Sequence, residues 1–425
     1  MANRRRARVF RARIKALAKG GNGVASVLSG QGQNSILVPG TLPGELVEIE
    51  QISKTKASLL RILEPSAHRI APPCTYANSC GGCDWMHLDL AIQRRTRPIL
   101  VHDELHRVGI PTPDIGSHHA EMNLAYRARA RLAVVGTSHG IIVGFRASKS
   151  RRIVPVDTCL VLEPVLDIAR AELASWLDGS EGMGEVTLML GRNHLPAIYV
   201  TWKGTLNANV FASAQDNVEQ RRWAGVSIWL DGATVPATMG DPRGVALGVD
   251  GHDLFIPPGG FMQAHNQMNP TLVGHVQSIA ETLGHPILEL FAGSGNFSIA
   301  LARQTPDLET VEQQDAAVAA ARSNLETRGL RARLRVDDAE KTIVRSAVRT
   351  VVLDPPRTGA KRAVQTIAAS RARDVVMVSC DPATLARDSA ILVHQGRFEL
   401  HRIDVFEMFP HTSHVETVAC FRRKR

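Results

Sequence analysis

Aromatic side chains are scarce in this chain: phenylalanine, tyrosine and tryptophan together make up 4% of its 425 residues. Base stacking on rings is therefore excluded as a widespread binding mode, because each stacked base needs its own ring. Acids are outnumbered, with 41 against 50 lysines and arginines, so the formal charge is +9. That balance disfavours cationic partners and favours polyanions, nucleic acid above all. Cysteine is limited to six residues in a chain with no export signal, which argues against a disulfide framework. No apolar stretch of signal-peptide or membrane-span length follows the N-terminus. Neither secretion nor membrane insertion is expected, and the expected location is cytoplasmic. No internal repeat is present, and nothing in the sequence calls for an obligate protein partner.

Apolar residues amount to 44%, enough for a real core, and the length suits two or three domains. The first fifteen residues carry Arg4, Arg5, Arg6, Arg8, Arg11, Arg13 and Lys15 without an acid. Two readings stand side by side: a basic arm on RNA phosphates, or a merely solvated terminus.

Three regions follow from the pattern of apolar runs and turn residues. Residues 1–64 hold five short strand-like runs punctuated by Gly20-Gly21, Pro39-Gly40 and Pro43-Gly44, which predicts a small β-barrel of the oligonucleotide-binding kind. Residues 65–250 open with prolines around a cysteine cluster, continue with a helix near 90–108, and then mix strands with helix, an α+β region. Residues 251–425 alternate strand and helix, which predicts a Rossmann-like α/β unit with a mainly parallel sheet. Such sheets bind ligands beyond the carboxyl ends of their strands.

The turn after the first of these strands reads Phe291-Ala292-Gly293-Ser294-Gly295-Asn296, followed by helix. Its glycines let backbone approach a ligand. Ser298 stands where a dinucleotide site has its third glycine, which disfavours NAD and suits adenosine. Glu312, ending the next strand, can accept ribose hydroxyls. Asp338 after the third strand is either an adenine contact or a solvated loop acid, with Asp337 as its neighbour.

Three further groups fall at the same edge. Asp354 precedes two prolines and Arg357, in a loop whose backbone the prolines fix. Cys380 follows the fifth strand, where a thiol beside a ligand pocket can act as a nucleophile once ionised. Glu416 sits in an apolar strand-like run, where an acid is expensive to bury without a partner or a chemical role. His411 and His414, just before it, can contact substrate or be satisfied structural histidines. Far upstream, Cys74, Cys80 and Cys83 supply three thiolates within ten residues, and Cys159 can supply a fourth. Four thiolates suit zinc or an iron–sulfur cluster, and spacing leaves both open.

Asp-Pro-Pro-Arg at 354–357, Val-Ser-Cys-Asp-Pro-Ala-Thr-Leu-Ala-Arg-Asp at 378–388 and His-Val-Glu-Thr-Val at 414–418 resemble the class I RNA (uracil-C5)-methyltransferases. The resemblance runs through nearly the whole chain. Gly-Gly-Asn-Gly-Val-Ala at 20–25 and Val-Pro-Gly-Thr-Leu-Pro-Gly-Glu at 38–45 resemble a TRAM RNA-binding domain. Phe261-Met262-Gln263 is similar to the family's Phe-x-Gln element, although His265 stands where the family usually has Asn. The resemblance implies S-adenosylmethionine held by Gln263, Phe291, Asn296, Glu312, Asp338 and Asp354. It implies Cys380 adding to C6 of a uridine and Glu416 removing the C5 proton. Cys-Gly-Gly-Cys with His87 resembles the iron–sulfur members, which implies a [4Fe–4S] cluster on Cys74, Cys80, Cys83 and Cys159. Barrel and cluster together resemble the 23S rRNA branch. Transfer RNA is the alternative substrate, and an RNA-binding protein with a vestigial transferase site is the alternative from another class.

Overall fold

The computed structural model describes residues 8–29 and 32–424, and the side chains of all of these except 27–29 and 32–34. Arg4, Arg5 and Arg6 lie outside the described residues.

Strands β1 (Val9–Ala18), β2 (Asn22–Ser29), β3 (Gly32–Pro39), β4 (Leu46–Ser53) and β5 (Lys56–Glu64) close into a barrel in the order β1-β2-β3-β5-β4. Period-two alternation decides its inside and outside: Ala12 and Ile14 are buried, whereas Arg11, Arg13 and Lys15 face solvent. Buried Glu45 accepts from Arg69 at 2.5 Å and from the Leu42 amide at 2.8 Å, tying the barrel to the segment that follows it.

Helix α1 (Leu90–Arg107) starts at Asp89, whose side chain accepts from the Ala91 and Ile92 amides. After β6 (Ile115–His118), a second sheet contains β7 (Arg129–Thr137), β8 (Gly140–Arg146), β9 (Ile153–Val154), β10 (Glu181–Leu190), β11 (Pro196–Thr205), β12 (Gly225–Leu230) and β13 (Ala237–Gly240). Its order is β13-β12-β11-β10-β7-β8-β9, and helices α2 (Pro164–Trp176) and α3 (Asn209–Glu219) pack on it. A hairpin of β14 (Gly244–Leu247) and β15 (Asp253–Ile256) leads out.

The C-terminal half contains α4 (Met268–Ala280), β16 (Ile287–Leu290), α5 (Asn296–Ala302), β17 (Leu308–Glu312), α6 (Asp315–Glu326), β18 (Arg333–Val336), β19 (Thr350–Leu353), α7 (Lys361–Ala369), β20 (Asp374–Ser379), α8 (Pro382–His394), β21 (Phe398–Phe406) and β22 (Glu416–Arg423). Its sheet runs β18-β17-β16-β19-β20-β22-β21-β6. The first five strands are parallel, and β22 is antiparallel to both its neighbours. Every residue of β16, β19 and β20 is buried, as parallel strands covered on both faces require.

Two boundaries differ from the sequence reading. Residue 250 lies in the turn between β14 and β15, which pair with each other, so the division at 250 cuts a hairpin. Asp250-Gly251 has the composition of a linker but serves as a hairpin turn. Within 65–250, β6 pairs with β21, and α1 contributes Leu100, Val101 and Leu105 to one core with Leu385, Leu392 and Phe398. These two elements therefore complete the C-terminal sheet rather than the middle one. Asp404 of β21 helps fix them: it accepts from His118 of β6 at 3.1 Å, lies 3.1 Å from His275 of α4, and accepts from Arg402 at 2.9 Å. Hydrogen bonds from these groups outweigh burial and hold its carboxyl well below the usual range. Among the described residues, no helix is long and apolar enough to cross a membrane.

Candidate active site

The parallel strands deliver their last residues to one edge. β16 ends at Leu290, and Phe291 opens the turn with a left-handed backbone at φ 62°. The turn continues through Gly293 and Gly295, also at positive φ, and Gly295 caps α5. A β-branched residue would be strained at either glycine. Glu312, at the end of β17, is held against this turn. It accepts from the Gly293 amide at 3.1 Å and from the Gln314 amide at 2.9 Å. Asn296 forms a reciprocal amide pair with Asn269 of α4, at 2.9 and 2.8 Å.

Asp354 follows β19 and accepts from Gln263 at 3.3 Å, so residues 91 apart in the sequence meet. Burial pushes the Asp354 carboxyl up to about 7. Cys380 follows β20. Because β22 runs antiparallel beside β20, with Thr417 opposite Ser379, the start of β22 lies next to the end of β20. Glu416 is therefore brought to Cys380 by strand direction alone. It opens β22 rather than interrupting it. Glu416 is buried, and burial together with Asp354 raises its carboxyl well above the usual range, while Arg357 opposes the shift. Burial, Glu416 and Asp354 push the Cys380 thiol up to about 12, again opposed by Arg357.

A pocket edge whose acids are held back from ionisation by burial, and Glu416 by Asp354 as well, is suited to a cationic ligand. Without one, Cys380 is expected to react as a thiol of very high pKa. Its alkylation by iodoacetamide, followed by peptide mass spectrometry, should climb roughly tenfold per pH unit from about pH 7.5 to 10. A plateau near pH ~8 would mean that the thiolate is stabilised by the protein alone.

Several sequence candidates also carry structural contacts. Asp338 caps the short 3-10 turn at Ala339–Lys341 and lies 3.0 Å from Lys341, while Asp337 pairs with Arg335. His265 turns away: its ring stacks on Tyr126 with centroids 4.7 Å apart, and its Nε2 is 3.0 Å from the Met122 carbonyl oxygen. The His411 amide donates to Gln93 at 3.0 Å, a structural use. His414 is held neutral by burial and by Arg357, down to about 4.

Sequence reading missed Glu289, in the middle of β16. It is fully buried, accepts from Ser298 at 2.6 Å, and burial pushes its carboxyl up to about 8. An acid inside an apolar strand was the signal that singled out Glu416, and it applies equally here. Ser298, where a dinucleotide site has glycine, uses its hydroxyl for this contact. Arg357, quoted only as part of a motif, is the positive charge of the site.

The four cysteines converge. Cys74, Cys80, Cys83 and Cys159 line one cavity with Tyr76, Arg127 and Phe145. Burial raises the thiols of Cys80, Cys159 and Cys83, the last to about 12. Buried Arg127 faces them, and its Nε has no hydrogen-bond partner. A desolvated cation with an orphaned donor among four thiols fits an anionic tetrathiolate group. Cys420 packs inside β22, away from both sites.

A family profile described as tRNA (Uracil-5-)-methyltransferase matches residues 327–424, which span Asp354, Cys380 and Glu416. A profile for the methyltransferase small domain matches residues 266–375. The 23S rRNA (uracil(1939)-C(5))-methyltransferase RlmD of Halomonas elongata is 34% identical, over 95% of this chain and 88% of that one. The Pseudomonas putida protein of the same name is 35% identical, over 96% and 92%. The chain belongs to the class I RNA (uracil-C5)-methyltransferases. Like the rest of that family it is an S-adenosylmethionine-dependent enzyme. The fold agrees: the Pyrococcus abyssi tRNA (uracil-54, C5)-methyltransferase in complex with S-adenosyl-L-homocysteine superposes with a TM-score of 0.74. That match covers 97% of this chain and all of the other, at 24% identity. In an RNA (uracil-C5)-methyltransferase the acid-rich edge has a ready use, because the methyl donor is a sulfonium cation.

Proposed function

We propose that this enzyme methylates C5 of a uridine in 23S rRNA, with Cys380 as nucleophile and Glu416 as general base. The observation that carries the reading is the antiparallel pairing of β20 and β22, which sets Cys380 beside Glu416 at the edge where Asp354 also lies. The substrate named for the related proteins, 23S rRNA, supports the choice of RNA.

Bound S-adenosylmethionine supplies the methyl group as an electrophile. Gln263, Phe291, Asn296, Glu312 and Asp354 would hold it, with Asp338 at the rim. C5 of uracil is a weak nucleophile until Cys380 Sγ bonds to C6 and raises electron density at C5. The thiol proton leaves to solvent before that bond forms. Once C5 carries its methyl group, Glu416 takes the C5 proton, the C5–C6 double bond returns, and Cys380 Sγ leaves with the electron pair of the S–C6 bond. The target base must be turned out of its stack to reach this edge.

The barrel, with its outward Arg11, Arg13 and Lys15, would hold RNA phosphates as a TRAM domain. Lys19, in its first turn, pairs with Asp381 next to Cys380 at 2.6 Å. RNA on the barrel would therefore lie beside the reacting edge. The four cysteines would hold a [4Fe–4S] cluster, with Arg127 meeting its negative charge. Purified protein should then be brown, with about four iron and about four sulfide per chain. Stoichiometric zinc without iron would replace the cluster by a zinc site.

The decisive assay is methyl transfer from labelled S-adenosylmethionine to unmodified 23S rRNA and unmodified tRNA in parallel. Label in 5-methyluridine from 23S rRNA alone is the expected result. Label from tRNA alone would keep the chemistry and change the substrate, and label in neither would remove the reading.

A further inference from the structure

Glu416 is only as well placed as the segment that leads into it, and residues 409–415 form no regular element. That segment is held from outside its own sheet. Arg97 of α1 donates to the Phe409 and Thr412 carbonyls, at 3.3 Å each. The Tyr126 hydroxyl donates to the Pro410 carbonyl at 3.1 Å, and the Trp85 amide to the His411 carbonyl at 3.0 Å. The most concentrated contact comes from Asp84. One carboxylate oxygen accepts from the Ser413 amide at 2.8 Å and the other from the Ser413 hydroxyl at 2.5 Å.

Asp84 follows Cys83 directly, and Tyr126 packs in one apolar cluster with Met86, Cys74, Cys83 and Cys159. Two of the contacts on the segment thus begin within a residue or one packing layer of the four-cysteine cavity. The barrel closes on the same carboxylate. Gly21 lies so near that a β-carbon there would come within 2.5 Å of an Asp84 oxygen.

We propose that Asp84 is a positioning residue for Glu416, transmitting the fixed geometry of the cysteine lobe to the 409–415 segment and so setting the rate of C5 proton removal. The proposal rests on the roles given above to Cys380 and Glu416. Both Asp84 carboxylate oxygens are taken up by Ser413, so Asp84 acts through that residue rather than on uracil itself. Its effect is on where the base sits when the proton must leave.

Step selectivity distinguishes this from a general structural role. Addition of Cys380 to C6 does not need Glu416 to accept a proton from carbon, whereas release does. Misplacing the base should therefore stall the enzyme after methyl transfer, as a methylated protein–RNA adduct that survives denaturing electrophoresis. Asp84→Ala should slow release by about 10- to 100-fold, the scale of a catalytic group displaced by roughly an ångström. Adduct formation should stay close to the parental rate, and iron per chain should be unchanged. Asp84→Asn, whose carbonyl still accepts from the Ser413 amide and whose NH2 can meet the hydroxyl, should restore release. If Asp84→Ala loses iron or folds poorly, Ser413→Ala decides, because it removes only the hydroxyl contact and should stall release to a smaller degree.

The experiment uses full-length holoprotein, labelled S-adenosylmethionine and an RNA substrate, with Glu416→Gln run alongside. Adduct in Glu416→Gln and in Asp84→Ala supports the proposal. Adduct in Glu416→Gln with parental release in both Asp84→Ala and Ser413→Ala overturns it and leaves the catalytic assignment standing, as does equal slowing of formation and release. Absence of adduct from Glu416→Gln overturns the assignment and the proposal together.

Discussion

Replacing Cys380 by alanine is expected to lower methyl transfer by about 10⁴-fold or more and to abolish every denaturation-resistant adduct between protein and RNA. The magnitude follows from what the thiol supplies. Without a bond to C6, C5 of uracil carries too little electron density to attack a sulfonium methyl, and no neighbouring group can substitute for Sγ. Folding should be little affected, because Cys380 is only partly buried and belongs to none of the apolar cores. RNA binding should also persist, since the proposed phosphate contacts lie on the barrel. The measurement is single-turnover transfer of labelled methyl, with RNA binding followed separately. Residual turnover within about tenfold of the parent would exclude covalent catalysis by this residue.

The second expectation is opposite in appearance. Glu416→Gln should lower turnover by about 10²- to 10⁴-fold, the usual contribution of a general base, yet increase the amount of adduct. Glutamine keeps the shape of the side chain and removes its capacity to take a proton. Methyl label should therefore be found in the adduct, and the double variant Cys380→Ala, Glu416→Gln should show none. Because burial and Asp354 raise the Glu416 carboxyl, its basic form gains population as pH rises. Release by the parent enzyme should accordingly accelerate with pH until that carboxyl is fully ionised. Adduct that forms and resolves equally fast in both proteins would assign the proton to another base.

Much of this arrangement could be read in the residues themselves. Ile287–Leu290, Thr350–Leu353 and Asp374–Ser379 are apolar runs because both faces of a parallel strand are covered. Strand ends then place Glu312, Asp354 and Cys380 at one edge without further information. Cysteine spacing marked its own cavity, because three thiols within ten residues suit a shared metal or cluster. What escaped was non-local. Ile115–His118 has no pattern that announces an edge strand, and its partner Ile403–Phe406 lies near the other end of the chain. Asn269 is an ordinary polar residue until its amide meets Asn296. Asp84 reads as a solvated acid after a cysteine, and only the fold puts Ser413 against it. Arg357 was visible as a motif residue, but its function as the countercharge emerges only once Asp354, Glu416 and Cys380 surround it.

The pairing of β6 with β21 has a consequence for how this protein can be made and divided. The outermost strand of the reacting sheet leaves the ribosome well before the strand it must pair with, since hydrogen-bonded residues of the two such as His118 and Asp404 lie 286 residues apart. Until then β6 has no sheet to join, and the middle of the chain can fold ahead of the half that carries out the reaction. A fragment beginning at residue 251 would retain Cys380 and Glu416 but expose β21 as a bare edge and uncover the apolar face that α1 shields, an invitation to aggregation. The reaction centre is therefore not a portable module. It is a knot of early and late chain, and its last stitch is the hydrogen-bonded seam between them.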